Sequence, residues 1–329
     1  MDNLIMKKIR IAFIYKKSYV FLSGKHFDNT TYHFFMNALK RSNSLDVTYF
    51  PSDNIFDVKN LKGKFDIILL PDNHSVAVPE LIGIKNNSIP IICRIGDPHN
   101  AKSMNKHNYH EEIGIDYYFN FTHKDYFYKY YPSNFRYKTI IFGLEPILYE
   151  NLTPYKDRIK NRILNSGAIG NAKIFSRIIN SIRNPDSNAY KHYKLRTMCN
   201  QLPYVDYTST LEHEYVNDRY PLLLSKYAAS IVATTYFPTI RYWEVPAAGC
   251  LTFMEITEKN NGRYLGYKDE ETAIFINEKN YKSKFEEYLE DIDNPKWLEI
   301  ANAGRQYALS ELNNDKATDS LVELMQELI

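Results

Sequence analysis

The sequence predicts an α/β protein made of two Rossmann-like domains, each with a doubly wound parallel sheet. Three observations predict this fold class. Apolar strand-like runs alternate with helical patterns from residue 9 to residue 142. The alternation lapses over 143–157, where Pro146 and Pro154 lie. A second series begins at Ile163, and 329 residues are enough for two domains of ordinary size.

The first series contains predicted strands joined by predicted helical crossovers, the arrangement that parallel strands require. The strands are 9–15, 45–50, 66–70, 89–95, 115–119 and 137–142. One helix carries Tyr32, Phe35, Met36 and Leu39 at helical spacing, and the others are 78–84 and 104–112. Aromatic residues crowd 117–131, where they indicate either a sugar-stacking surface or only the compositional bias of a chain with 28 tyrosines.

The second series predicts strands 163–166, 230–234, 251–255 and 273–276, with a helix that carries Ile174, Ile178, Ile179 and Ile182. Two amphipathic helices follow. The first presents Trp297, Ile300, Ala301, Gly304 and Ala308, and the last presents Leu321, Leu324, Met325 and Leu328. The expected domains are 1–150, 151–305 and a C-terminal helical segment, 306–329.

Composition excludes several classes of protein. Forty-one Lys and Arg against 39 Asp and Glu give a net charge of +2, too little for a nucleic-acid footprint. Residues 1–150 contain 19 basic and 15 acidic side chains, an excess that would allow peripheral contact with an anionic membrane surface. Three distant cysteines and the lack of a signal peptide or spanning segment predict a soluble cytoplasmic protein.

Glycine patterns separate the two halves. The first strand is followed only by the lone Gly24, without a G-x-G-x-x-G pattern, and the chain has no P-loop, which disfavours dehydrogenases and NTPases. Strand 163–166 is followed by Gly167, Gly170, Asn171 and Lys173. Glycines and a helix N-terminus suit a diphosphate, with Lys173 as a point charge. The alternative is an ordinary strand-to-helix turn with a surface lysine.

The most specific segment is 241–253. Arg241 and Glu244 lie in the first turn of a short helix, and small residues up to Gly249 let that helix lie close to the next strand. We expect the Glu244 carboxylate to face a ligand. The alternative is an Arg241–Glu244 ion pair, three residues apart, that only braces the helix.

Residues 162–329, and more weakly 8–145, resemble the group 1 glycosyltransferases of the GT-B fold, family 4-like, particularly the branch that includes CgeB-like proteins. The resemblance rests on the segment 241–253, the run 266–273 and the spacing from Gly167 to Lys173. It implies two domains facing a cleft and a C-terminal helix that crosses back to the first domain. It also implies that Glu244 holds the ribose hydroxyls of a nucleotide sugar.

Two positions depart from the family pattern. Ala168 stands where the family usually has Arg, so one leaving-group cation is either missing or supplied from elsewhere, with Arg177, Arg196 and Arg241 as candidates. Tyr236 stands eight residues before Glu244, where the family has a Glu that touches the donor sugar. The expected donor-binding residues are Gly167, Gly170, Asn171, Tyr236, Arg241, Glu244 and Gly249.

In the first domain, relatives often carry His-Asp after the fourth strand. Here Asp97 matches the Asp, and His99 follows two residues later. With Lys173 they are the catalytic candidates, because a carboxylate or imidazole can take a hydroxyl proton. The alternative for Asp97 and Pro98 is a turn opener. Gly24, His74 and Arg94 are acceptor-side candidates.

The resulting hypothesis is a metal-independent, retaining glycosyltransferase of carbohydrate biosynthesis. It would move a sugar from a nucleotide diphosphate donor to a hydroxyl of a carbohydrate, lipid-linked or other acceptor. No cofactor beyond this co-substrate and no nucleic-acid partner are expected. If the enzyme inverts configuration instead, Asp97 or His99 would be the general base. The alternatives are a non-catalytic nucleotide-sugar-binding protein on the same scaffold and a nucleotide-sugar epimerase.

Overall fold

The computed structural model describes residues 7–22, 29–171, 188–208 and 217–329. The chain divides into two compact units. The first consists of Met1–Gly143 and Asn314–Ile329, and the second of Leu144–Asn313. The junctions expected from the sequence, 150/151 and 305/306, lie a few residues away. Gly24, Lys173, Arg177 and the helix expected over 174–182 lie outside the described residues.

The first unit contains a six-stranded, fully parallel sheet in the order β2-β1-β4-β6-β7-β8. Its strands are β1 (Ile9–Tyr15), β2 (Leu45–Pro51), β4 (Ile67–Leu70), β6 (Ile91–Arg94), β7 (Tyr117–Asn120) and β8 (Tyr137–Thr139). Ile11 of β1, the second strand in this order, pairs with Val47 of β2 on one side and Ile67 of β4 on the other. All four residues of β4 and of β6 are buried, as expected for parallel strands covered on both faces.

Helical segments and short turns cover this sheet. They are α1 (Asn29–Tyr32), a π-helical stretch (His33–Ala38), α2 (Leu39–Arg41), α3 (Lys106–Ile113) and α4 (Lys124–Phe127), with 3₁₀ turns at Val20–Leu22, Val58–Leu61, Ile84–Asn86 and Pro98–Asn100. Around α4 the aromatic rings form core. Phe127 stacks on Tyr131 and Tyr137 with centroids 4.5 and 4.1 Å apart, and all three are buried.

The helix predicted over 78–84 is wrong. The segment forms β5 (Glu80–Ile82), which pairs in parallel with β3 (Ile55–Asp57). Burial alternates along β5, with only Leu81 inside, so its three residues follow the two-residue period of a strand. Gly83 then turns the chain at a φ of +78°. The crossover from β4 to β6 is therefore extended, and a groove of about 750 Å³ lies between it and α3.

The second unit contains a five-stranded parallel sheet in the order β10-β9-β11-β12-β13. The strands are β9 (Ile159–Ser166), β10 (Val205–Thr208), β11 (Tyr227–Val232), β12 (Leu251–Glu255) and β13 (Ile274–Ile276). The edge strand β10 was not predicted from the sequence. Its four residues include Asp206 and the exposed Tyr207, so it lacks the continuous apolar run of a central strand.

Helices of the second unit pack on this sheet around a core that includes Phe253, Phe285, Tyr288 and Trp297. The helices are α5 (Ala189–His192), α6 (Lys194–Cys199), α7 (Tyr220–Leu224), α8 (Arg241–Ala247), α9 (Tyr281–Glu290) and α10 (Pro295–Glu311), with 3₁₀ turns at Pro146–Tyr149, Tyr155–Asp157, Asn217–Arg219 and Gly262–Leu265.

The last helix, α11 (Asn314–Gln326), belongs to the first unit. The Asn314 amide oxygen accepts a 2.7 Å bond from the Gly143 backbone, and Arg41 donates to Asp315 at 2.7 Å. Its apolar stripe, Leu321, Leu324 and Met325, is fully buried. The sequence-based prediction that this helix returns to the N-terminal domain is confirmed.

Among the described residues, no helix combines the length and the apolar character needed to cross a bilayer. In the same part of the chain, no group of three or more His, Cys, Asp or Glu side chains is placed to hold a metal ion. The three cysteines, Cys93, Cys199 and Cys250, are free and buried.

Candidate functional site

The candidate site lies at the carboxyl edge of the second sheet, where open α/β folds bind ligands. β9 ends at Ser166, and Gly167 follows with a φ of +111° and donates its N–H to the Thr208 carbonyl at 3.0 Å. A Cβ at Gly167 would lie 2.8 Å from the Arg241 guanidinium. Glycine is therefore needed here for its backbone conformation and for the space that the arginine fills.

Arg241 is the first residue of α8 and is 9% exposed. Its Nε donates to the Ser166 carbonyl at 3.1 Å, and its guanidinium lies 5.5 Å from the ring centroid of Tyr220. The Tyr220 hydroxyl is 3.1 Å from the Ser166 hydroxyl. These contacts hold the arginine against the glycine turn.

Arg196 is a second buried cation beside the same turn, on α6 and only 1% exposed. Its Nη1 donates to the Ala168 carbonyl at 3.1 Å, while Nε and Nη2 have no hydrogen-bond partner among the described residues. Burial, with the charge of Arg241 as the next cause, lowers the pKa of Arg196. Two buried guanidinium groups beside one glycine turn form a site suited to an anion.

Residues of α5 and α6 pack beside the glycine turn. The Gly170 N–H donates to the Thr197 hydroxyl at 2.8 Å. A Cβ at Gly170 would lie 2.3 Å from the Tyr190 Cα, so this glycine permits close packing. Asn171 is the last described residue before the gap at 172–187 and is exposed.

Glu244 lies one turn along α8 from Arg241 and is 4% exposed. Burial raises the pKa of its carboxyl to about 7, although Arg241 acts in the opposite direction. Within the described part of the chain, this carboxylate makes no hydrogen bond and no ion pair within 4.0 Å. Arg241 Nε donates to the Ser166 carbonyl, and the two side chains remain electrostatic neighbours without a close ion pair among the described residues.

Comparison with solved structures supports the architecture. A glycosyltransferase from Rickettsia africae ESF-5 superposes with a TM-score of 0.56 at 11% identity, covering 98% of this chain and 99% of its own. An α-glucosyltransferase in complex with UDP-glucose and DNA containing an abasic site gives 0.58 at 12%, covering 97% and 100%. HepE from Anabaena, in complex with UDP and glucose, gives 0.53 at 10%, also covering 97% and 100%.

The chain has the GT-B fold. No protein-family model matches the sequence, and no curated protein matches it by sequence. In this GT-B chain the predicted donor-side residues Gly167, Gly170, Arg241 and Glu244 do lie at or beside one sheet edge. Arg196, Thr197 and Tyr220 were not assigned to the donor site, although Arg196 was considered as a replacement cation.

Tyr236 lies just beyond β11 at the same edge. Its ring contacts the His192 ring with centroids 5.0 Å apart, and the Lys259 ammonium lies 4.7 Å from its centroid. The Thr235 N–H donates to the His192 carbonyl at 2.8 Å, which ties this loop to α5.

Gly249 does not belong to this site, which corrects its assignment to donor binding. It follows α8 with a φ of +74° and precedes β12, so it lies at the opposite edge of the parallel sheet. Arg158 donates to the Gly249 and Ala248 carbonyls at 2.9 Å each and thereby satisfies the end of the helix. The glycine serves helix termination.

The first unit has a different arrangement at its carboxyl edge, centred on Asp72. The residue is 4% exposed, and its Oδ1 accepts from Lys106 Nζ at 3.1 Å and from the Gly96 and Asn73 N–H groups at 3.0 and 2.8 Å. Its Oδ2 lies 3.4 Å from His74 Nε2 and 3.7 Å from Arg94 Nη1. The sequence analysis named His74 and Arg94 but missed the aspartate that joins them.

The charges around Asp72 determine the state of the cluster. Burial opposes ionisation, but Lys106, His74 and Arg94 outweigh it and lower the pKa of the Asp72 carboxyl. His74 Nδ1 accepts from the Val76 N–H at 3.1 Å, so Nε2 carries the proton that faces Asp72. Both ring nitrogens are engaged, and His74 lines the 750 Å³ groove.

Asp97 is exposed and opens the 3₁₀ turn Pro98–Asn100 without a side-chain cap. Its backbone carbonyl accepts from the Asn100 N–H at 3.1 Å, so the backbone of Asp97 opens a turn, as the alternative predicts. His99 Nδ1 lies 3.4 Å from the Tyr126 hydroxyl. This contact orients the His99 ring, and the hydroxyl can either donate to or accept from the ring nitrogen.

Proposed function

We propose that this protein is a glycosyltransferase that moves a sugar from a nucleoside diphosphate donor to an acceptor hydroxyl. The observation that carries the proposal is Glu244. A buried carboxylate with no hydrogen bond to any described residue, on the first turn of a helix at the carboxyl edge of a parallel sheet, can accept hydrogen bonds from two vicinal hydroxyls. Ribose offers that pair.

The diphosphate is assigned to the glycine turn and its two arginines. Arg196 has two unused N–H donors, and Arg241 lies against Gly167, where only a side chain as small as hydrogen fits. These cations would neutralise charge on the departing diphosphate, the task that a divalent metal performs in other phosphate sites. We therefore propose a metal-independent reaction, with Lys173 as a further candidate cation.

Two of the solved structures above contain UDP with glucose or UDP-glucose, so UDP-glucose is the first donor to test. We propose retention of configuration, as the family resemblance implies, with attack from the face that the leaving phosphate occupies. The leaving phosphate would then take the acceptor proton. If the product is inverted, Asp97, with an exposed side chain, is the first candidate base and His99 the second.

The acceptor is assigned to the first unit. The groove beside His74 has a volume within the range of small-molecule sites, and Asn54, Ser75, Asn105, Asn108 and Tyr109 contribute uncharged polar groups to it. This lining suits a hydroxyl-bearing acceptor. We expect a cytoplasmic enzyme, with any membrane contact being peripheral and made through the first unit.

Binding and turnover need separate measurements. Calorimetric titration should show that UDP binds more tightly than uridine, because only UDP reaches the arginines. Release of labelled glucose to water or to an acceptor then tests catalysis. Binding without any turnover would leave a nucleotide-sugar-binding protein, whereas conversion to an isomeric nucleotide sugar without transfer would indicate an epimerase. Equal affinity for UDP and uridine would contradict the diphosphate assignment.

A further inference from the structure

Glu255 is a second buried carboxyl group at the carboxyl edge of the second sheet. It ends β12 and is 5% exposed, and its Oε2 has no hydrogen-bond partner in the part of the chain that the structure describes. Its backbone is held in place, because its carbonyl accepts from the Tyr242 hydroxyl at 3.0 Å and from Asn260 Nδ2 at 2.7 Å. The side chain is therefore placed firmly at this edge, although nothing in the described structure uses Oε2.

The charged groups around Glu255 do not satisfy it. Lys194 is paired with Glu278, and the Lys259 ammonium lies over the Tyr236 ring. Arg196 is an electrostatic neighbour, but it forms no ion pair with Glu255 within 4.0 Å in the described structure, and two of its own nitrogens have no partner. A carboxyl oxygen and a guanidinium group thus lie in one neighbourhood, each with unused hydrogen-bonding capacity.

The protonation state follows from this setting. Burial, and then the charge of Glu278, raise the pKa of Glu255 to about 8, against the opposing charges of Arg196, Lys259 and Lys194. Near neutral pH the group is mainly a carboxylic acid, which can donate one hydrogen bond and accept others. Buried polar atoms without partners are rare in proteins, and they concentrate where a ligand completes the hydrogen bonding.

We propose that Glu255 contacts a hydroxyl of the donor's glycosyl group and, in its ionised form, disfavours a sugar that carries a carboxylate. The inference rests on the proposed function, which places the diphosphate at Arg196. β11 alone separates β9 from β12, so the ends of these strands lie about 10 Å apart, two strand spacings. A sugar attached to a diphosphate at the end of β9 can span that distance.

The test compares UDP with UDP-glucose in the wild type and in the Glu255→Ala and Glu255→Gln variants, by calorimetric titration. Glu255→Ala should bind UDP within about twofold of the wild type and lose about tenfold for UDP-glucose, the size of one good hydrogen bond to a polar group. Glu255→Gln should lose less, because an amide also donates and accepts. It should also discriminate less against UDP-glucuronic acid at pH 8.5, where the wild-type carboxyl is ionised.

Glu287→Gln is the matched control, since Glu287 is a carboxylate of the same unit that already has Lys284 and Lys296 as partners. It should leave the ratio of UDP-glucose to UDP affinity unchanged. Thermal melting distinguishes a structural role of Glu255 from the proposed sugar contact, because removing an unpaired buried carboxyl should not lower Tm. Equal losses for UDP and UDP-glucose, or an unchanged ratio in Glu255→Ala, would overturn the inference and leave the proposed function standing.

Failure of the proposed function has a different signature. If the wild type binds none of UDP, GDP, ADP and their glucose or mannose conjugates, the diphosphate site is wrong and the inference falls with it. If another nucleotide binds in place of UDP, the same ratio test is made with that nucleotide and its hexose conjugate.

Discussion

Buried carboxyl groups lie at the carboxyl edges of both sheets, but the two units treat them in opposite ways. In the first unit, Asp72 has Lys106, Arg94, His74 and two backbone N–H groups around it, and its pKa is lowered. In the second unit, Glu244 and Glu255 Oε2 have no hydrogen-bond partner among the described residues, and the pKa values of the two carboxyl groups are raised to about 7 and about 8. Asp72 is thus satisfied by its own unit, whereas the two glutamates keep unused hydrogen-bonding capacity.

This difference distinguishes the structural role of Asp72 from the binding role proposed for Glu244 and Glu255. A buried charge that has partners fixes the loops that carry them, and here it positions His74 and Arg94. A buried carboxyl without partners costs free energy in the unliganded protein, and a ligand recovers that cost. Variants of Asp72 should therefore change stability more than affinity, whereas variants of Glu244 and Glu255 should change affinity more than stability.

The largest expected effect is on the stability of the first unit. Asp72→Ala leaves the buried Lys106 ammonium without its carboxylate and should cost about 3–5 kcal/mol of unfolding free energy. Scanning calorimetry should show the transition of this unit at a markedly lower temperature. Lys106→Met should cost less, because Arg94 and His74 still face Asp72. Equal Tm values for Asp72→Ala and the wild type would remove the basis of the comparison.

The next effect is on diphosphate affinity in the second unit. Arg196→Met should weaken UDP binding by about 1.5–3 kcal/mol, the range for hydrogen bonds to charged groups, and leave uridine binding nearly unchanged. Its Tm should not fall, since the variant removes a buried cation with unpaired donors. Arg162→Met is the control, because Arg162 pairs with Asp206 on the exposed face of β9. A uniform loss for UDP and uridine would argue against the assignment.

A smaller effect isolates the ribose contact. Glu244→Gln keeps the volume but removes the charge, and it should weaken UDP binding about tenfold, close to one charge-assisted hydrogen bond. A 2′,3′-dideoxy analogue should bind the wild type poorly and lose little more in the variant, which a double-mutant cycle registers as coupling. The exposed Glu258→Gln serves as control. Additive losses, with no coupling, would contradict ribose recognition.

The sequence predicted the elements that follow simple periodicity and missed those that depend on tertiary contacts. Strand β1 and the helix α11 were predicted from apolar patterns, and the return of α11 to the first unit was implied by the family resemblance. The predicted helix over 78–84 is a strand because its partner, β3, comes from a distant part of the chain. The Gly167 turn and Glu244 could be found from motifs, whereas the unused donors of Arg196 and the proximity of Asp72 to Lys106 appear only once the chain is folded.

Gly249 shows that a sequence motif can also suggest a shared site for residues that the fold separates. It belongs to the same run of residues as Arg241 and Glu244, yet α8 carries it to the opposite edge of the sheet. A short helix of seven residues spans about 10 Å at 1.5 Å per residue, enough to separate its two ends functionally. Neighbouring positions in a motif therefore need not share a ligand.

The last prediction concerns pH and is the smallest effect near neutrality. Glu244 accepts ribose hydrogen bonds best when ionised, and its pKa in the free protein is about 7. Affinity for UDP-glucose, whose diphosphate does not titrate near neutrality, should therefore rise from pH 5.5 to pH 7.5, by at most about tenfold per unit below pH 7. Glu244→Gln should flatten this rise.

Stability of the free protein should change in the opposite direction over the same interval. The folded pKa of Glu244 is above its ordinary value of 4.5, so the folded state holds the extra proton between those values. The contribution of this carboxyl to stability is thus fully present below pH 4.5 and is lost as pH rises through 7. Tm measured from pH 5 to pH 7.5 should fall more steeply in the wild type than in Glu244→Gln, while UDP-glucose affinity rises. Parallel pH profiles of Tm and affinity would mean that ribose binding does not require the Glu244 carboxyl to lose its proton.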